Sequence, residues 1–195
     1  MEIGNQVFMQ YKRLEDGSFE PLARKNVDFG GGLERIAAAS IHSPDVFRIS
    51  LLWPIVEKLQ TLSGKTYEDN TESMRVIADH LRAATFLAVD GCVPANKEQG
   101  YVMRRLLRRA IRYAFDLGIE QNFFEGIVPV IADLYATDYP EVAEHRETII
   151  AVLAKEEKVF RQTLRKGLQQ LGKFAADGQV TGVEFFTLYD TYGFP

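Results

Sequence analysis

Residues 26–36 read Asn26-Val27-Asp28-Phe29-Gly30-Gly31-Gly32-Leu33-Glu34-Arg35-Ile36. Asn26 to Phe29 has the composition of a short extended piece, and Leu33 to Ile41 reads as a helix that Ser43-Pro44 ends. Between them, three glycines let the backbone come close to a ligand. The helix N-terminus that follows presents free N–H groups to an anion. Arg35, in the first turn, has the shape to stack on a base or to pair with a phosphate. Asp28 sets a carboxylate at the mouth of the same turn. A glycine-rich loop with a solvated arginine is the plain alternative.

Upstream, residues 2–12 are strand-like, with Val7, Met9 and Tyr11 to one side and Gln6, Phe8, Gln10 and Lys12 to the other. Asp16-Gly17 signals a turn, and Phe19–Leu22 is another short extended piece. Antiparallel strands therefore lead into the glycines. Downstream, the periods are helical. Val46–Leu62 reads as one helix, irregular near Pro54. Thr71–Val89 carries Met74, Ile77, Ala78, Leu81, Ala84 and Ala88 on one stripe. Glu98–Leu117 has a stripe through Met103, Leu107 and Ile111. Phe123–Tyr135 is shorter, and Pro140–Ala176 is long, with apolar residues about 3.5 apart. Thr181-Gly182-Val183-Glu184 is a capping box opening a last helix. The expected fold is mainly α: a helical domain at 44–195, preceded by a small antiparallel β segment and its helix at 1–43.

The 195 residues suffice for one large domain or two small ones. Hydrophobic residues make up 46% and charged residues 26%, which excludes disorder as the main state. Cys92 is the single cysteine, so no internal disulfide forms. His42, His80 and His145 lie too far apart in sequence for a zinc spacing, so no metal ligands are assigned. No apolar run approaches the roughly 18 residues of a membrane span. The first residues lack the basic and apolar regions of a signal peptide, so the expectation is a cytoplasmic, reduced protein. The abrupt ends suggest a fragment of something longer. Ser63-Gly64-Lys65-Thr66 has the end of a phosphate-binding loop but Leu59 where its first glycine belongs.

The net charge of −4 argues against a general nucleic-acid binder, and neither DNA nor a membrane is expected as a partner. Residues 97–112 depart from that background. Lys97, Arg104, Arg105, Arg108, Arg109 and Arg112 stand there against Glu98 alone. Arg104, Arg108 and Arg112 lie at i, i+4 and i+8, with Arg105 and Arg109 beside them, and like charges so close repel on an isolated helix. An anionic counterpart is needed. It is either phosphate oxygens of a nucleic acid or the chain's own acids, Glu156 and Glu157 among them.

Several segments resemble one family in one order along nearly the whole chain. Residues 26–36 resemble the third signature motif of alanyl-tRNA synthetases. Val76-Ile77-Ala78-Asp79-His80-Leu81-Arg82-Ala83-Ala84 is similar to the start of their tRNA-recognition region. Asp90-Gly91-Cys92-Val93-Pro94-Ala95-Asn96 and Gly100-Tyr101-Val102-Met103-Arg104-Arg105-Leu106-Leu107-Arg108-Arg109-Ala110 continue it. Leu188-Tyr189-Asp190-Thr191-Tyr192-Gly193-Phe194-Pro195 matches its end.

The resemblance implies a remnant of the class II synthetase antiparallel sheet with its motif-3 helix at 1–43, and a helical domain for the tRNA acceptor stem at 44–195. It implies a ligase that joins alanine to tRNA(Ala) through an alanyl-adenylate, using ATP and Mg²⁺. Asn5 and Asp28 would line the alanine pocket, Asp28 near the ammonium, with Gly30 and Gly32 on the floor and Arg35 on ATP. Asn96 and Asp190 match the residues that contact a G·U wobble pair, whose guanine leaves an amino group unpaired. Arg104, Arg105, Arg108 and Arg109 would hold the RNA backbone. The family usually has tryptophan at Gly4, threonine at Phe29 and methionine at Gly31. The first two class II motifs, the zinc-bearing editing domain and the oligomerisation region are not among these residues, so no catalytic residue is assigned. The chain alone is expected to be inactive. The other reading is a free-standing helical module that binds RNA or protein without catalysis.

Overall fold

The computed structural model describes residues 2–174 and 180–190, the side chains of residues 189 and 190 excepted. It divides into two compact units, Met1–Trp53 and Pro54–Pro195.

In the first unit, β1 (Gly4–Arg13) and β2 (Phe19–Gly31) form an antiparallel hairpin. Gly4 lies opposite Gly31, Asn5 opposite Gly30, Val7 opposite Asp28 and Met9 opposite Asn26. The register then shifts, so that Tyr11 faces Pro21 and Arg13 faces Phe19. Gln10 thus spans residues 22–25, a bulge that lets β2 run on where the composition suggests two separate pieces. The expected turn is present: Asp16 accepts from the Ser18 N–H at 2.9 Å and the Ser18 hydroxyl at 2.7 Å. Helix α1 (Leu33–Ser40) follows the glycines.

The single helix expected over 46–62 is instead a 3-10 turn at Val46–Arg48 and helix α2 (Trp53–Ser63). Asp45 caps the short turn by accepting from the Phe47 N–H at 3.0 Å. Pro54 falls in the first turn of α2, where its missing N–H costs nothing.

Every regular element among the described residues of the second unit is a helix, as the mainly α expectation requires. Helices α3 (Thr71–Val89) and α4 (Glu98–Asp116) pack along each other, and α5 (Phe124–Tyr135) and α7 (Arg146–Phe174) close the core. Met74, Ile77 and Leu81 meet Met103, Leu107 and Ile111 in that core, all without solvent exposure. The long helix expected from Pro140 breaks at His145 into α6 (Pro140–Glu144) and α7. The His145 backbone N–H and ring Nδ1 both donate to Glu141 O, at 3.0 and 2.8 Å, which closes the turn. Arg146 then ties the start of α7 to Asp133 of α5.

Glu157 of α7, with no exposed surface, accepts the N–H groups of Phe123 (3.0 Å) and Phe124 (3.1 Å) at the N-terminus of α5. Arg161 donates to the same carboxylate from Nε at 3.0 Å, and from Nη1 to the carbonyls of Ile119 and Glu120. The last helix, α8 (Gly182–Asp190), opens on the expected capping box. There the Thr181 N–H reaches the Glu184 carboxylate at 2.9 Å, and the Glu184 N–H reaches the Thr181 hydroxyl at 3.3 Å.

Candidate functional site

The open end of the hairpin brings five of the expected residues together. Paired residues of antiparallel strands project to the same face, and so do alternate residues along each strand. The register therefore sets Asn5, Val7, Asp28 and Gly30 on one face, with Asn5 and Asp28 diagonal across Gly30. A side chain built at Gly30 would meet nothing within 4 Å, so the floor between the two polar groups is open. The ladder continues past β2, because Gly32 donates its N–H to Ile3 O at 3.2 Å. Gly32 then starts α1, and the stem of Arg35 lies over it: a Cβ there would sit 3.2 Å from Arg35 Cδ. Arg35 Nη1 donates to Glu2 O at 3.2 Å, and the side chain is otherwise exposed. A carboxylate, a carboxamide, an open floor and an exposed guanidinium can receive a small ammonium-bearing molecule beside an anion.

The opposite face couples Gly4, Phe29 and Gly31. The ring of Phe29 covers the Gly4–Gly31 pair. A Cβ at Gly4 would come within 2.7 Å of Phe29 Cε2 and Cζ, and one at Gly31 within 2.9 Å of Phe29 Cε1. A large residue at 29 and none at 4 and 31 are one arrangement.

Helix α4 divides its arginines. Arg108 Nε donates to Glu156 Oε1 at 2.9 Å and its guanidinium lies over the Phe160 ring, 4.9 Å from the centroid. Arg104 shares Glu156, its Nε 3.4 Å from the same oxygen. Arg104 also donates from Nη1 to Asn96 Oδ1 and from Nη2 to Pro94 O, the latter at 3.2 Å. The internal acid weighed in the sequence thus holds Arg104 and Arg108. Arg105, Arg109 and Arg112 stay exposed. Arg109 and Arg112 flank Tyr113 at 5.9 and 5.3 Å from its centroid, and among the described residues none of these three pairs with a carboxylate. The exposed cationic set is therefore 105, 109 and 112, displaced around the helix from the 104–108–112 row.

Asn96 sits in the loop between α3 and α4, against Arg104. Asp190 ends α8, and its side chain lies outside the described residues, as does the segment after it. In the motif at 76–84, the His80 ring, 2.9 Å from Asp79, holds the Asp79 carboxyl below the ordinary range. Sequence reasoning missed the link from Arg104 to Asn96. Its only local trace is Gly100, which the loop approaches so closely that a Cβ would lie 2.5 Å from Val93 O.

The family described as class II (A) tRNA synthetases matches residues 1–195. The alanine–tRNA ligase of Pediococcus pentosaceus is 42% identical over 204 residues, which takes in all of this chain and 23% of that protein. The one from Bacillus subtilis is 41% identical with the same coverage. That of Xanthomonas oryzae pv. oryzae is 43% identical over 197 residues, 22% of its length. The chain thus spans less than a quarter of the curated relatives it matches. With the family matched from the first residue to the last, the chain belongs to the class II (A) tRNA synthetases.

Proposed function

We propose that the chain is a working segment of an alanine–tRNA ligase. It supplies part of the alanine and ATP site from residues 1–43 and the contact with the tRNA(Ala) acceptor stem from 44–195. The observation that carries the reading is similarity along its entire length to proteins of that name. In this reading Asp28 holds the ammonium of alanine through a charge-assisted contact, and Asn5 orients the substrate across the bare floor at Gly30, with Gly32 beneath the stem of Arg35. Arg35 and the first turn of α1 meet the nucleotide. Mg²⁺ would accompany ATP as its counter-ion in the intact enzyme. Among the described residues no cluster of three His, Cys, Asp or Glu is offered for it. The exposed Arg105 and Arg109 hold phosphates and give affinity without sequence information. Asn96 and Asp190 read the G·U pair.

The test is alanine-dependent pyrophosphate exchange by the full-length protein carrying this segment. Asp28→Asn is expected to raise the alanine KM roughly tenfold to a hundredfold, the worth of a hydrogen bond to a charged group, with the ATP KM nearly unchanged. An alanine KM that does not move would remove Asp28 from the pocket. The 195 residues alone are expected to give no exchange.

A further inference from the structure

We propose that Arg104 is a positioning residue: it holds the carboxamide of Asn96 by its oxygen, so that Asn96 offers RNA its Nδ2 hydrogen-bond donor. The inference rests on the reading that the loop before α4 faces the acceptor stem. An arginine has donors and no acceptor, so the group of Asn96 turned toward Arg104 is Oδ1. The Nδ2 amino group is thereby left to point away from the Arg104 guanidinium. A free carboxamide presents either end; this one is set. It can satisfy an acceptor on a base edge or a ribose, while its oxygen is already engaged by Arg104.

Asn96 is backed by a chain of contacts. Arg104 Nη2 also grips Pro94 O at 3.2 Å, so one guanidinium spans two residues of the loop. Its Nε is buried with no hydrogen-bond partner, held 3.4 Å from Glu156, whose carboxylate is fixed in turn by Arg108 at 2.9 Å. The loop itself is pinned to the first turn of α4. The Ala95 N–H donates to Gly100 O at 3.0 Å, and the backbone at Val93 and Ala95 passes so close to Gly100 that no side chain fits there. A planar fork that bridges a carboxamide, a carbonyl and a carboxylate is a task for arginine rather than lysine. It also removes Arg104 from the set able to hold a phosphate.

The experiment compares two acceptor-stem minihelices, identical except for G·U or G·C at the discriminating pair, in aminoacylation by the full-length protein. Asn96→Ala and Arg104→Ala are each expected to lower the G·U preference on the order of tenfold. The double variant should be no worse than either single, since the two side chains act as one unit. Asn96→Asp is expected to lose the preference as fully as the alanine. It keeps the oxygen that faces Arg104, and with it the loop, but has no donor for RNA. Arg105→Ala should weaken both stems equally and reduce the salt dependence of binding by about one unit of slope; Arg104→Ala should leave that slope unchanged. A preserved preference in Arg104→Ala with a reduced slope would make Arg104 a phosphate contact and overturn the proposal. So would a preserved preference in Asn96→Asp, which stays readable even where removal of Arg104 unfolds the loop. If Asn96→Ala itself leaves the preference intact, the assignment of the loop to the G·U pair fails, independently of Arg104.

Discussion

Two kinds of glycine stand at the candidate sites, and what an added methyl group would meet separates them. At Gly4 the nearest obstacle is the end of the Phe29 ring, at Gly31 the same ring with the tip of Ile36, and Phe29 is 58% exposed. A ring tip on the surface swings aside, so Gly4→Ala is expected to cost less than about 0.5 kcal/mol, the scale of a surface change. At Gly100 the obstacles are backbone, Val93 O at 2.5 Å and Ala95 N at 3.0 Å, and the Ala95 Cβ at 2.6 Å, which the backbone fixes. Neither moves without the loop, and an overpacked site of this kind costs roughly 1–3 kcal/mol. Gly100→Ala is therefore expected to lower the denaturation midpoint clearly and to displace Asn96 as well, whereas Gly4→Ala leaves both unchanged. Chemical denaturation of the two variants checks this, and equal losses would show that the loop yields as easily as the ring.

At the level of elements, what was legible in the sequence had local causes. The Thr71–Val89 helix has an uninterrupted apolar stripe, and the Thr181–Glu184 box satisfies its own termini, so both were readable from spacing. The face of Asn5 and Asp28 was not, since strand register emerges only once the bulge beside Gln10 fixes which residues oppose. The break at His145 and the division of the arginines were hidden for a similar reason: each depends on a side chain from another helix or from a neighbouring turn. Glu157 is the strongest case. It closes the N-terminus of α5 from a position 33 residues away, and nothing near Phe124 announces it. Burial pushes the Glu157 carboxyl above the ordinary glutamate range, against the pull of the Phe123 and Phe124 amides and of Arg161. In the unfolded chain it titrates as an ordinary glutamate. Between the two values the native state keeps a proton that the unfolded state has lost. Its contribution to stability is thus full below the unfolded value and declines as pH rises through the native one. Glu157→Gln should lack that decline. It should also lose about 3–5 kcal/mol, because Arg161 is left buried without its partner. Denaturation profiles of the two proteins that run parallel from about pH 4 to about pH 8, a range covering ordinary and raised carboxyls, would refute the assignment.

The whole molecule joins two units of unequal self-sufficiency. The helical unit buries its own core. In the first unit, the described residues bury Ala38, Ile49 and Leu52 but leave Phe8 74%, Phe19 68%, Leu33 67% and Val27 61% exposed. Val7 and Met9, on the face of Asn5 and Asp28, are also exposed, at 50% and 41%. A two-stranded hairpin with apolar residues bare on both faces and unpaired groups on both edges is marginal in water. The curated relatives are more than four times as long as this chain, and in a protein of that length such a surface is one that other segments are suited to cover. In the proposed reading, the alanine pocket would then owe its rigidity to residues outside this chain, and the contact with tRNA would owe little to them. This gives an expectation for each unit. In the 195-residue chain, amide hydrogens of β1 and β2 should exchange far faster than those of α3 and α4. Trypsin should cut first after Lys12, Arg13, Arg24 or Lys25. In the full-length protein the same strand amides should slow by on the order of a hundredfold or more, as their opening becomes coupled to a larger cooperative unit, while α3 and α4 change little. Strand amides equally protected in both would show that the hairpin stands by itself. The lack of pyrophosphate exchange expected of the chain alone would then have to come from missing catalytic groups and not from a disordered site.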